Sequence, residues 1–336
     1  MRRHGPRPSG IERPGRRSVR SGAWLLWLWL LLLAVPGSAE AAGRCVFTQA
    51  PSRWTLQSDC VTDQSIVIPD GVTLNGNHHT IVAVDPANGF FHGGVVLNGG
   101  ASANVVNVTI TSVMLADICQ VGNDRLRAIY FDGASGVIRG NTIVNVNKPA
   151  SACQEGNGIE VRNRDLGAPP SIAEISGNVV EGFQKTGIIA SGNVEVTVRG
   201  NSIGPSAAQA QMPANGIQIG PGARALVEGN TVAGNSWGGS NAVATAILLM
   251  QSGRGTVVRG NDVIGSADVG IYVMSNGVRV EQNRLTDSGP DTSSDIGIGN
   301  YGDGNEFEGN AIRGYGTKSQ GVDEPTSGPT TVAALQ

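Results

Sequence analysis

Apolar and polar residues alternate along most of this chain in very short bursts. The stretch VTVRGNSI at 196–203 shows the form: two alternating apolar positions, a Gly-Asn break, then one more apolar residue. Versions recur at 136–141 (GVIRGN), 175–178 (ISGN), 226–230 (LVEGN), 257–261 (VVRGN), 278–283 (VRVEQN) and 306–310 (EFEGN). A second phrase, small residue-Ile-x-apolar, precedes each copy. Its isoleucines are Ile129, Ile159, Ile188, Ile217, Ile247, Ile271 and Ile298, at intervals of 24 to 30 residues. A period in that range marks a stacked-repeat architecture. Each repeat holds three apolar runs, none long enough for a helix, and the Gly-Asn breaks keep them apart. Three short strands per repeat with glycine-rich corners predict an all-β chain, a single-stranded solenoid in the form of a right-handed parallel β-helix.

With coils starting near Ile66, Val95 and the seven isoleucines, the pattern predicts about nine coils, a stack of about 40 Å at the usual strand spacing. Alternate residues point inward, so the isoleucines fill the interior. The asparagines of the breaks, Asn141, Asn178, Asn201, Asn230, Asn261, Asn283 and Asn310, are expected to bond one another up the stack and satisfy the turns. The residues before the breaks include Arg199, Glu228, Arg259 and Glu281, which alternate in sign and predict a solvated charge ladder. Residues 42–64, with Trp54, are expected to cap the first coil, the β-helix to run over 65–315, and the polar, proline-bearing end at 316–336 to be disordered.

The phrases VIRGNTI, VTVRGNSI and VVRGNDV, and the opening IPDGVTLNGNHHTI at 68–81, resemble the repeats of pectin-lyase-like parallel β-helix proteins. The resemblance covers about 60–315 and implies the fold. Its motifs belong to a scaffold shared by lyases, hydrolases, epimerases, esterases and non-catalytic surface proteins. It also implies that the strand after the most variable loop lines the substrate cleft. Here that is the small-Ile-x-apolar strand, preceded by the variable loops 145–157, 181–186, 204–215, 233–245 and 286–295. The Asp-Pro-His of mannuronan epimerases, the Asp-Asp and Arg-x-Lys patterns of polygalacturonases and the Arg-x-Pro-x-x-Arg of pectate lyases are absent from the chain. Site assignments therefore rest on which residues face outward.

Alternation places Val96, Tyr130, Glu160, Ile189, Gln218, Leu248 and Tyr272 in one outward column. Asn98, Asp132, Arg162, Ser191, Gly220, Met250 and Met274 form a second. The polar half is the candidate catalytic set: Tyr130, Asp132, Glu160 and Arg162, with Lys148, Glu155 and Lys185 on flanking loops. Asp132 and Glu160 could serve as the two carboxylates of glycoside hydrolysis. Alternatively, Arg162 could neutralise a uronate carboxylate while Tyr130 or Lys185 removes the adjacent carbon proton. Pairing of Glu160 and Arg162 with neighbours is the competing, purely structural reading. Ser191 and Gln218 are expected to bind substrate. In the apolar half, Trp237 on the 233–245 loop either covers Leu248, Met250, Tyr272 and Met274 or forms a sugar-stacking platform with Tyr272.

Composition changes the picture in three ways. Few aromatics (4%) and 49 glycines among 336 residues argue against a conventional globular core. A net charge of -3 gives no basic face for nucleic acid. The arginine-rich start, the apolar run AWLLWLWLLLLAV at 23–35 and the Ala-Glu-Ala at 39–41 make residues 1–41 read as a secretory signal peptide, with no stable membrane insertion after cleavage. The four cysteines all follow it, which predicts two disulfides, Cys45–Cys60 and Cys119–Cys153, in an extracytoplasmic protein. No cofactor is expected. His78, His79 and His92, or a calcium ion at Asp287, Asp291 and Asp295, are the metal alternatives. The expected partner is an extracellular, uronate-containing polysaccharide, with a lyase favoured among enzymes. The alternative is a non-catalytic secreted surface protein.

Overall fold

The computed structural model describes residues 43–148, 153–207, 212–239, 242–288 and 295–322. The chain winds through three parallel sheets in turn, and each successive coil adds one strand to each sheet. Among the described residues the sheets hold 10, 11 and 10 strands. We call the one built on the small-Ile-x-apolar phrase the site sheet. Its register stacks Ile129, Ile159, Ile188, Ile217, Ile247, Ile271 and Ile298 directly over one another, all buried. The small residue before each isoleucine has a steric cause. A Cβ on Gly187 would lie 2.6 Å from the Gly216 carbonyl oxygen and 2.9 Å from Ile203 on the facing sheet.

The asparagine ladder forms as the pattern requires. Each side-chain amide from Asn141 to Asn283 donates to the carbonyl oxygen of the next asparagine at 2.9–3.0 Å. The same oxygens also accept backbone amides at 2.9–3.0 Å. Buried polar groups in every turn are thereby paired. The exterior charge ladder is arranged differently from its sequence expectation. Arg259 pairs with Glu228 at 2.8 Å, but Arg199 turns to Glu174 at 2.9 Å. Glu174 sits in the next column, on the strand before Arg199.

Three features depart from the sequence expectation at the ends. Val96 stacks on Ile129 and Ile66, so it points inward and Leu97 takes the outward place beside Tyr130. Two consecutive valines leave a period of two unable to choose, and continuity of the inner stack decides. Residues 47–56 form an antiparallel hairpin, Phe47–Ala50 with Arg53–Leu56, whose second strand pairs with Val72–Asn75. The capping segment thus continues a sheet. At the other end, within the stretch expected to be disordered, Thr317–Gln320 pairs with Ile296–Asn300 and adds a tenth strand to the site sheet. Its side chains are mostly exposed. Backbone bonding to an otherwise open sheet edge is enough to hold it. Both expected disulfides form, Cys45–Cys60 and Cys119–Cys153. The expected signal peptide, residues 1–41, and residues 323–336 lie outside the described residues.

Candidate functional site

The polar cluster is built where the loop of residues 113–126 folds onto the site sheet. Three devices hold that loop. The Cys119–Cys153 disulfide ties it to the next coil. Glu155, fully buried, accepts the Gln120 and Leu126 amides at 2.9 and 2.8 Å. Its carboxylate is neutralised by buried Lys148 at 3.1 Å, whose ammonium also donates to the Ile118 carbonyl. Lys148 and Glu155 therefore serve as a loop anchor and do not flank the cleft as free groups. Third, Arg127 donates to the carbonyls of Gly122, Asn123 and Arg125. This secures the 3₁₀ turn Gly122–Asp124 that overhangs the sheet.

Arg127 also fixes Glu160. The two are joined by contacts of 2.6 and 3.3 Å from Nε and Nη2 to the two carboxylate oxygens. Asn157 adds a bond of 2.9 Å to Oε2, and Arg162 lies 3.4 Å from Oε1. Glu160 is 4% exposed. With both oxygens engaged and water excluded, it is a counter-ion to two arginines, which is the structural reading of this residue. Asp132 and Glu160 do not form a free pair of carboxylates.

Tyr130, Asp132 and Arg162 do come together, around a residue from the loop, Asn123. Its side-chain oxygen accepts from Arg162 at 2.8 Å, from Arg164, and from the Tyr130 hydroxyl at 3.3 Å. Its amide donates to Asp132 at 3.3 Å. Arg162 donates to the Tyr130 hydroxyl oxygen, and the Arg127 and Arg162 guanidinium carbons lie 4.4 and 5.1 Å from the centre of the tyrosine ring. Burial, and then the neighbouring Arg164, Arg127 and Arg125, push Arg162 down to about 10, so it stays cationic at neutral pH. Its Nε is buried with no hydrogen-bond partner among the described residues; Asp132, at 3.7 Å, is too far. Beside this cluster opens a hollow of about 370 Å³ lined by Ser65, His92, Gly93, Leu97, Asn98, Asn123, Asp124, Tyr130 and Asp132.

A family model described as a right handed beta helix region matches residues 70–312. The chain belongs to the right-handed β-helix family. No curated relative matches it. Among solved structures, the β-helix resembles the Dettilon tailspike protein at 15% identity, over 78% of this chain and 61% of that one, with a TM-score of 0.35. It resembles a mutant of a periplasmic alginate epimerase at 13% identity, over 75% and 61%, with a TM-score of 0.40. The A-module of an Azotobacter vinelandii mannuronan C-5 epimerase matches at 12% identity, over 80% and 85%, with a TM-score of 0.27. The chain thus spans about three fifths of the first two proteins.

The remaining predicted residues lie elsewhere on the β-helix. Lys185 precedes the strand Thr186–Gly192, four residues before the Ile189 position that pairs with Glu160. Its ammonium donates to the Pro213 carbonyl at 2.7 Å, and burial lowers it to about 8. It is not part of the Tyr130 cluster. Ser191 and Gln218 face outward beyond Arg162 and Glu160; Gln218 is buried and accepts from Asn215 at 3.1 Å. Trp237 sits in a loop tied to Asp268, which receives its amide. The ring against Tyr272 is Tyr301, edge-on at 5.1 Å, and not Trp237. Burial, then Tyr301, pushes the Tyr272 phenol up. Among the described residues no three of His, Cys, Asp and Glu gather closely enough to hold a metal, and Asp291 lies outside them. His79 stands 3.4 Å from Asp59, while His92 lines the hollow.

Sequence reasoning missed Asn123, Arg127 and Arg164. Arg127 carried a signal, since it precedes Ile129 by two and falls in register with Asn157 at a buried strand start.

Proposed function

We propose that this is an exported carbohydrate-active protein that binds an acidic, uronate-containing polysaccharide across the hollow beside Tyr130 and cleaves it by elimination. The observation that carries the reading is the buried Arg162 Nε without a hydrogen-bond partner, 3.7 Å from Asp132, behind Tyr130 and Asp132, which line the hollow, and beside a second arginine, Arg164. A buried donor on a cation is satisfied best by an anion, and a planar carboxylate suits guanidinium geometry. In this reading Arg162 pairs with the uronate carboxylate and stabilises the charge that develops when the adjacent C–H bond breaks. Tyr130 acts in its ionised form: the phenolate oxygen takes that proton, the electron pair left behind forms the C=C bond as the C–O bond to the leaving sugar breaks, and the Tyr130 hydroxyl so formed returns the proton to the leaving oxygen. Asn123 and Asp132 orient Tyr130 and Arg162. Hydrolysis by two carboxylates is not favoured, because Glu160 is locked to Arg127. Two disulfides support an oxidising, extracytoplasmic location and the removal of residues 1–41 as a signal peptide.

One observation favours a second reading, a non-catalytic surface protein that only binds the polysaccharide: Tyr130 is 3% exposed. A single screen decides between them. The mature chain is incubated with neutral and uronate polysaccharides, and unsaturated-product absorbance and new reducing ends are followed together. Elimination gives both signals, and Tyr130→Phe and Arg162→Lys abolish them without lowering the melting temperature. Reducing ends alone overturn elimination. Retention on the polysaccharide with neither signal leaves the binding reading.

A further inference from the structure

The face that carries the polar cluster changes character toward the C-terminal coils. In the second outward column, Asp132 and Arg162 are followed by Ser191 and Gly220, then by Met250 and Met274. Tyr301 comes next, its amide bonded to the Val273 carbonyl at 2.8 Å. In the first column, Gln218 and Leu248 lead to Tyr272 and then Gly299. The two small residues make a shallow trough, and beyond it stands an aromatic ledge. The rings of Tyr272 and Tyr301 meet at 90° with centroids 5.1 Å apart. Both rings lie over Gly299, where a Cβ would sit 3.2 Å from Tyr301 and 3.5 Å from Tyr272. That glycine leaves the space in which the pair fits. Tyr301 is 52% exposed and Met274 43%, so the ledge offers open apolar surface on an otherwise polar face. A hollow of about 310 Å³ beside it is lined by Gln251, Ser252, Arg254, Met274, Ser275 and Asn276, groups suited to hydroxyls.

We propose that Tyr272 and Tyr301 form a sugar-stacking subsite that takes the apolar face of a pyranose ring several units along the chain held at Arg162. This rests on the function proposed above. The ledge lies on the same two columns as the cluster, five strand steps away from the Arg162 strand, or about 24 Å. An extended polymer running along the stack axis reaches both ends, and the small trough between leaves its path clear. The occupant is a ring with one apolar face and edge hydroxyls. The exposed Tyr301 ring with exposed Met274 nearby and amide and guanidinium groups in the adjoining hollow matches that chemistry.

The test is affinity electrophoresis through gels cast with polygalacturonate, alginate or a neutral β-glucan, with isothermal titration of uronate trimers and octamers. Wild type, Tyr301→Ala, Tyr301→Phe and Arg162→Gln are compared, and each is melted to confirm folding. Tyr301→Ala is expected to weaken polyuronate and octamer binding about five- to tenfold, as loss of one aromatic contact does. It leaves trimer binding and the melting temperature unchanged, and Tyr301→Phe behaves as wild type. Arg162→Gln is expected to weaken trimer and octamer alike. Equal binding by wild type and Tyr301→Ala overturns the ledge alone and leaves the Arg162 site standing. Loss in Tyr301→Ala with no effect of Arg162→Gln supports the ledge and overturns the site. A wild type that binds no polysaccharide, or that dimerises through Tyr301 instead, overturns the proposal.

Discussion

Asn230→Ala tests what holds the stack together. Asn230 sits mid-ladder and is fully buried. Its side-chain oxygen accepts the backbone and side-chain amides of Asn201, both at 2.9 Å. Its amide donates to the Val198 carbonyl and to Asn261, also at 2.9 Å. Truncation removes all four bonds and strands two donors on Asn201, which is itself buried. Each stranded donor costs about 1–3 kcal/mol, so the substitution costs about 4 kcal/mol. Asn310→Ala is the internal control. It occupies the last rung and is only half-buried, so water can serve the groups it leaves, and about 1 kcal/mol is expected. Urea unfolding followed by far-ultraviolet circular dichroism reads the difference. With an m-value of about 3 kcal/mol/M, Asn230→Ala lowers the midpoint by about 1.3 M and Asn310→Ala by about 0.3 M. Equal shifts for the two would refute the reasoning, because the argument depends on burial and not on the count of bonds.

Other consequences follow from the loop anchor and the buried charges. Glu160→Gln removes the counter-ion of buried Arg127 and is expected to cost about 3 kcal/mol or more in urea unfolding. Arg127→Met with Glu160→Leu recovers most of that, yet ligand retention stays lost because the Gly122–Asp124 turn has no anchor. Cys119→Ser with Cys153→Ser opens a 34-residue loop, worth about 3–4 kcal/mol on chain entropy. Hydrogen exchange should quicken at residues 113–126 while the ladder amides stay protected. Lys185, lowered by burial to about 8, binds a proton less readily folded than unfolded. Stability should therefore rise as pH goes from about 8 toward the ordinary lysine range, where only the unfolded chain keeps its proton. Lys185→Met should remove that rise and raise the melting temperature at neutral pH.

The parts of the molecule legible in the sequence are those that repeat. The seven isoleucines and seven asparagines declare themselves because each must meet a copy of itself one coil away, so one local phrase is selected again and again. Disulfide pairing was legible for a related reason: Cys45 and Cys60 fall in the first coil, and Cys119 and Cys153 in adjacent ones. A period of two also shows which side chains leave the barrel, which is how Tyr130, Asp132 and Arg162 were found. It cannot show what lies over them. Tyr130 and Glu160 point outward by alternation and are nonetheless buried, because the aperiodic segment 113–126 folds back on the sheet. Asn123 reaches Arg162 across 39 residues and Arg127 reaches Glu160 across 33. Neither contact belongs to a repeated phrase. Tyr301 escaped for the same reason, since it stands one residue beyond the strand Ile296–Asn300, where alternation no longer assigns a face. The division is physical. The periodic scaffold pairs its turn amides by repetition, whereas Arg162 Nε lies under a segment that breaks the period and has no hydrogen-bond partner among the described residues. On a β-helix, the search for chemistry should therefore start at the loops that match no other coil and move inward to the sheet residues they cover.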